Sequence, residues 1–292
     1  MFSNRLFSPL RYPGGKARFA PFIASLMQLN GMEGGHYLEP YAGGAGVALD
    51  LLYSGVASHV HINDYDEALH AFWASATLHP EELMRLVHDT PVTMDQWYHW
   101  RAVLRAETEA TLVERGFATL FLNRTNRSGI LKAGVIGGKA QSGAYRLDAR
   151  YNKPQLLDRL ETIAAHASRI SVYREDACSL LQRCGTLLPE SSMIYLDPPY
   201  YVKGQELYRN FYDHEDHVRI AEVLCTEAFP CSWVVSYDAL DEIRQMYRLA
   251  RSVSYGLHYT AQTRYVGSEV MFFSAKLQLG DFEVEQPLDA AA

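Results

Sequence analysis

The stretch that decides the fold is HYLEPYAGGAGVALDLLYSGVASHVHINDYD, residues 36–66. HYLEP (36–40) is a short strand ending on an acid, Glu39, with a glycine-rich turn behind it. GVALDLLYSG (46–55) reads as a helix closed by Gly55, and SHVHINDYD (58–66) as a second strand ending in acids. Strand, glycine turn, helix and strand in this order open a parallel α/β sheet, whose ligands lie at the carboxyl ends of its strands. Gly43, Gly44 and Gly46 let the backbone approach a ligand closely, with a helix N-terminus behind them. Asp64, about twenty residues on, can accept bonds from both hydroxyls of a ribose. The pattern points to a nucleoside cofactor, a dinucleotide and S-adenosylmethionine fitting equally.

Outward from this unit, KARFAPFIASLMQL (16–29) has helical spacing, and residues 67–122 carry long helical periodicities such as EELMRLVHD and ERGFATLFL. Residues 123–153, NRTNRSGILKAGVIGGKAQSGAYRLDARYNK, read as a loop or β-ribbon rich in glycine and basic residues. The α/β alternation resumes at Pro154. Helices are predicted over 154–167, 177–183 and 214–228, and strands over 169–173, 193–197 and 232–237. Two extended stretches follow, around 249–256 and 269–276. The expected architecture is one α/β domain, residues 1–73 and 166–292, interrupted by a mainly helical insertion over 74–165.

Composition bounds the function. The chain has 292 residues, 48% hydrophobic and 21% charged, as in ordinary globular proteins. No apolar run approaches the roughly 20 residues a membrane helix needs, and MFSNRLFSPLRYPGGK lacks the apolar stretch of a secretory signal. A cytoplasmic protein with no membrane partner, a monomer or weak dimer, is expected. Cys178, Cys184, Cys225 and Cys231 match no zinc spacing and read as reduced, mostly buried thiols. A net charge of −7 argues against indiscriminate coating of nucleic acid. Residues 123–153 run the other way: Arg124, Arg127, Lys132, Lys139, Arg146, Arg150 and Lys153 stand against Asp148 alone. Such a segment can neutralise phosphates locally.

MIYLDPPYY (193–201) carries the chemistry. Proline fixes φ and holds the residue before it extended, so Asp197 and Pro198 are both pinned at a strand's carboxyl end. The Asp197 carboxylate and the Pro198 carbonyl then aim two acceptors at one point, which suits an amino group. Tyr200 offers a flat ring to a planar base. An exocyclic base amine is a poor nucleophile because its lone pair is delocalised into the ring. Two acceptors on its hydrogens favour the tetrahedral form that can attack, and Asp197 can take the released proton.

With these motifs the sequence resembles the Dam-type (class alpha) DNA adenine-N6 methyltransferases, S-adenosylmethionine-dependent enzymes with a Rossmann-like sheet. RYPGGK (11–16) resembles the family's N-terminal cofactor motif, EPYAGGAGVAL (39–49) the glycine motif and INDYD (62–66) the acidic strand end. FLNRTNRSGI (121–130) resembles the start of the target-recognition segment, REDA (174–177) a further cofactor strand end, and LDPPYY (196–201) the catalytic motif. The resemblance implies a Rossmann-like methyltransferase sheet flanked by helices, with the insertion as target-recognition domain. It implies that Tyr12, Lys16, Glu39, Asp64 and Asp197 serve the cofactor, that Gly43, Gly44 and Gly46 shape its methionine end, and that Asp176 sits near its adenine. Asp197, Pro198, Pro199 and Tyr200 are then catalytic, on an adenine flipped out of double-stranded DNA.

Arg124, Arg127 and Lys132 are the expected DNA contacts, although relatives that read GATC carry an aromatic residue where this chain has Arg127, and an arginine where it has Lys132. Tyr208, Phe211 and Tyr212 are candidates to line the base pocket. Cytosine-N4 or amide transfer more often uses Ser or Asn in place of Asp197. A silent DNA-binding protein would not need an intact Asp197, and a nicotinamide oxidoreductase leaves DPPY unexplained. His214 and His217 lack a third ligand and no metal is expected; Asp213 and Asp216 read as a helix cap and a first-turn acid.

Overall fold

The computed structural model describes residues 7–12, 15–201, 212–259 and 265–280, and of 256–259 and 265–268 the backbone only. Helix α1 (Ala20–Leu29) buries Ala20, Ile23, Leu26 and Met27, one face at helical spacing, and Gly31 beyond it takes a left-handed φ of +66°. It is followed by β1 (Gly35–Glu39), α2 (Gly46–Tyr53) and β2 (Ala57–Asn63). After a run of helices come β3 (Ile170–Tyr173), β4 (Ser192–Leu196), β5 (Ser232–Asp238), β6 (Arg251–Tyr259) and β7 (Tyr265–Phe273). The seven strands form one sheet in the order β3-β2-β1-β4-β5-β7-β6. The first five are parallel, with Leu38 beside Ile194 and Leu196 beside Val235, while β7 runs antiparallel between β5 and β6. The expected helix-flanked α/β sheet is thereby borne out.

Every residue of β4 is buried, because a central parallel strand is covered on both faces. Against one face Leu38, Ile194, Leu196 and Val235 pack with α8 (Ala177–Gln182), α9 (Cys184–Leu187), α10 (His214–Leu224) and α11 (Asp241–Met246). Against the other, Tyr37, Val60, Ile62 and Met193 belong to a cluster that runs on through Phe72 and Trp73 to Trp97, Trp100, Phe117 and Phe121. Those last residues sit on helices between β2 and β3: α3 (Glu67–Leu78), α4 (Pro80–Asp89), α5 (Met94–Leu104) and α6 (Leu112–Thr125), followed by α7 (Lys153–Ala165).

Helices α3 and α6 pack at close range. A side chain at Gly116 would meet Ser75 Oγ at 2.4 Å, and the Thr119 hydroxyl donates to Ala68 O at 3.0 Å. Thr111 and Glu114 form a reciprocal capping box that starts α6. The basic stretch does not form a ribbon. Residues 123–125 complete α6, and the rest is turns and two short 3₁₀ segments with a single bridge, Asn126 to Val135. Helix α10 ends at Leu224, short of the expected 228, where Cys225 caps it and a turn leads to Pro230. Asp213 and Asp216 make the expected cap in its reciprocal form, at 3.0 Å each way. Among the described residues no helix is long and apolar enough to cross a membrane.

Candidate active site

The strand order reverses between β1 and β4, and a parallel sheet is open to ligands at such a point. A cleft of about 220 Å³ lies there. Of the residues expected at the site, Tyr12, Lys16, Glu39, Gly44, Gly46, Asp64, Lys132, Asp197, Pro199 and Tyr212 line it. Gly43, Pro198, Tyr200, Arg124, Arg127 and Asp176 do not.

The glycine turn is bare because the N-terminal segment lies against it. Gly43 has φ +47°, and a Cβ there would meet the Tyr12 ring at 2.7 Å. At Gly46 it would meet Ala17 Cβ at 2.8 Å. The turn is fixed from below as well, since Trp73 Nε1 donates to Gly43 O at 2.9 Å. Asp64, at the end of β2, accepts Gly43 N at 2.9 Å on Oδ2 and Asp66 N at 3.0 Å on Oδ1. A carboxylate has about four acceptor positions, so two stay available to hydroxyls. Burial pushes its carboxyl up to about 7, against the pull of the two amides. Glu39 Oε1 accepts Tyr37 OH at 3.1 Å and Ala48 N at 3.0 Å. It thereby supplies the start of α2 with the acceptor that Ala45 lacks. Burial raises the Glu39 carboxyl to about 8.

Asp197 directly follows β4, with its side chain 25% exposed to the cleft. Its Oδ1 accepts the Ser236 hydroxyl at 2.9 Å and lies 3.3 Å from Lys16 Nζ, while Oδ2 has no partner among the described residues. Burial raises the Asp197 carboxyl; Lys16 and Ser236 oppose this and the Glu269 charge adds to it. Lys16 is itself buried, 3.1 Å from Glu269 Oε2 and 3.4 Å from the Tyr200 hydroxyl. Burial works against its charge, but Asp197 and Glu269 outweigh that and raise its pKa.

Two expected contacts are elsewhere. Asp176 is exposed and caps α8, accepting Ser179 N at 3.1 Å; Glu175 and Ala177 reach the cleft instead. Arg124 is buried and donates from Nε to Pro9 O at 2.6 Å, its pKa lowered to about 10 by burial. Arg124, expected to meet DNA, is thus tied through Nε to the N-terminal segment and only 8% exposed. Arg127 and Lys132 are exposed. Tyr212 takes a hydrogen bond from Tyr41 OH at 3.0 Å, while Tyr208 and Phe211 lie outside the described residues. Tyr201 bonds His214 Nδ1 at 2.8 Å, and His217 is buried against Tyr237 OH at 3.0 Å.

The sequence reading missed three groups. Asn63 donates to Pro40 O and Glu175 O and accepts Glu175 N, tying the ends of three strands. Asn123 accepts Arg11 N at 2.7 Å and donates to Arg11 O and Gly129 O at 2.8 Å each. Glu269 was legible only as the lone charge of its strand, a pattern that calls for a buried partner.

Among solved structures, the crystal structure of protein LPL1258 from Legionella pneumophila str. Philadelphia 1 is 13% identical, covering 88% of this chain and 85% of that one with a TM-score of 0.31, a likeness too slight to carry an argument. No curated protein matches. The sequence model of the D12 class N6 adenine-specific DNA methyltransferases matches residues 12–264, which span the glycine turn, the insertion and the Asp197 motif. The chain belongs to that family and is an adenine-specific DNA methyltransferase.

Proposed function

We propose that the protein is a Dam-type enzyme that moves the methyl group of S-adenosylmethionine to N6 of an adenine flipped out of double-stranded DNA at a specific site. The observation that carries this reading is Asp197: one oxygen is held by Ser236 and Lys16, and the other is left for a ligand beside the glycine turn. The cleft suits the cofactor, because Asp64 keeps acceptor positions for ribose hydroxyls and the small residues Ala42, Gly44, Ala45 and Gly46 line its wall. When bound, the cofactor supplies an activated methyl group. Tyr12 and Lys16 flank its site, Glu39 and the three glycines hold the turn, and Glu175 with Ala177 offers the base a wall where Asp176 does not.

In this mechanism Asp197 Oδ2 and the Pro198 carbonyl accept the two hydrogens of the target amine and turn its lone pair toward the methyl carbon. The cofactor would supply the methyl carbon to that lone pair and would keep the electron pair of the broken bond. The amine nitrogen then carries a positive charge until its proton passes to Asp197 and on to water. Tyr200 and Tyr212 offer rings to the extruded base. The test is to incubate the protein with duplex plasmid and cofactor bearing a labelled methyl group and then digest the DNA. Labelled N6-methyladenine is expected; label confined to cytosine would overturn the reading.

DNA is proposed to approach over exposed Lys132, which also borders a neighbouring cleft where Arg105, Arg115 and Arg174 stand beside Asp66 and Glu67, with Glu67 paired to Arg115 and Arg174. Residues 74–165 are accordingly proposed as the target-recognition unit, with 1–73 and 166–292 as the catalytic one. Lys132→Ala is expected to weaken DNA binding and reduce the slope of log affinity against log salt by about one. Arg124→Ala should leave that slope unchanged while lowering stability by about 1–3 kcal/mol, because Pro9 O loses its donor. Fluorescence anisotropy over a salt series and urea unfolding separate the two.

A further inference from the structure

Glu269 is a carboxylate on the inner strand β7, between Asp238 of β5 and Tyr255 of β6, and it is 1% exposed. A buried glutamate is retained only when paired. Its Oε1 lies 3.2 Å from Lys16 Nζ and its Oε2 lies 3.1 Å away, so the ammonium sits across both oxygens. Tyr255 OH donates to Oε2 at 2.6 Å and Tyr200 OH to Oε1 at 3.3 Å, which fixes the carboxylate's orientation. On its other side the same ammonium meets Asp197 through Oδ1 alone, at 3.3 Å. One lysine thus serves two acids, and it lies closer to the one that the proposed chemistry does not use.

We propose that Glu269 is a positioning residue: by holding Lys16 on its two oxygens, it restricts Lys16 to one oxygen of Asp197 and keeps the second free for the target amine. The inference rests on the methyltransferase reading of the site. The three charged groups sum to one negative charge, which suits a site where positive charge develops on the amine nitrogen. Without the Glu269 charge, Lys16 would pair with Asp197 alone, cover both its oxygens and weaken it as a proton acceptor. The other titratable groups facing Asp197 are Tyr37 and Glu39 from β1, Tyr195 from β4, Tyr237 from β5 and Tyr255 from β6. None of them bonds Lys16 among the described residues, so none replaces Glu269 in this role.

The test is Glu269→Gln, which keeps the shape and the bond from Tyr255 but removes the charge. It should lower kcat about tenfold with the KM for DNA unchanged. The acid limb of the kcat profile should move down by about one pH unit, because a like charge no longer holds the Asp197 carboxyl up. Glu269→Asp should restore part of the rate and most of the limb. Wild-type kcat and an unmoved limb in Glu269→Gln would overturn the proposal. A second readout needs no activity: ¹³C NMR of the Asp197 carboxyl in the free protein should give a lower titration midpoint in Glu269→Gln, and an equal midpoint also overturns it. If the wild-type protein methylates no adenine, the methyltransferase reading falls, while the midpoint still decides the role of Glu269.

Discussion

Asp197→Ala is expected to yield a folded protein that no longer methylates DNA. Removing the carboxylate takes away the acceptor for the target amine's proton and one of the two groups that reshape its lone pair. Losses of about 10²–10⁴ accompany the removal of a positioned proton acceptor, so the residual rate should be lower than wild type by at least about a hundredfold. The fold survives because Lys16 keeps Glu269 as its counter-ion and Ser236 keeps Tyr195 as a hydrogen-bond partner. Single-turnover transfer of labelled methyl groups at saturating cofactor reads the rate, and calorimetric titration of the cofactor separates lost chemistry from weakened binding. A rate near that of the wild type would remove Asp197 from the chemistry.

Lys16→Met should cost both activity and stability. The substitution leaves Asp197 and Glu269 facing each other in a buried site without a cation. Breaking a buried pair by deleting one partner typically costs about 3–5 kcal/mol, which for a chain of this size lowers Tm by on the order of 10 °C. The pH dependence has a definite sign. Without the lysine the folded-state pKa of Asp197 rises further above its unfolded value of about 4. The penalty is therefore full above the raised folded-state pKa, and it shrinks as the pH falls from there toward the unfolded value and the buried carboxyl takes up its proton. Urea unfolding at pH 7.5 and pH 5 should show a smaller gap between variant and wild type at the lower pH; an equal gap would mean that lost packing, not charge, dominates.

The parts of the molecule legible in the sequence are those whose cause is local. The strand at 36–40, the turn with three glycines and the helix after it follow from spacing and backbone freedom, as does the strand before the two prolines. Asp213 and Asp216 are likewise a cap that three residues of sequence specify. What escaped depends on distant partners. Arg124 has the composition of a phosphate contact, yet its acceptor is a carbonyl 115 residues earlier in the chain. Glu269 pairs with a lysine 253 residues away. Asp176 and Glu175 show the finest limit: adjacent acids after a strand, of which the helix start claims one and the cleft the other, according to the direction in which the chain leaves β3.

The amide of Asn123 clasps Arg11 from both sides and also holds Gly129, while Gly129, at φ +77°, has no room for a side chain against Arg11 O, 2.3 Å from where its Cβ would be. The start of the proposed recognition segment and the stretch around Arg11 and Tyr12 are thus a single joint. Anyone wishing to transplant target preference between relatives must move residues 7–12 together with the end of α6 and the loop beyond it. A graft cut at the loop alone would sever the joint and detune a reaction centre that it never touches.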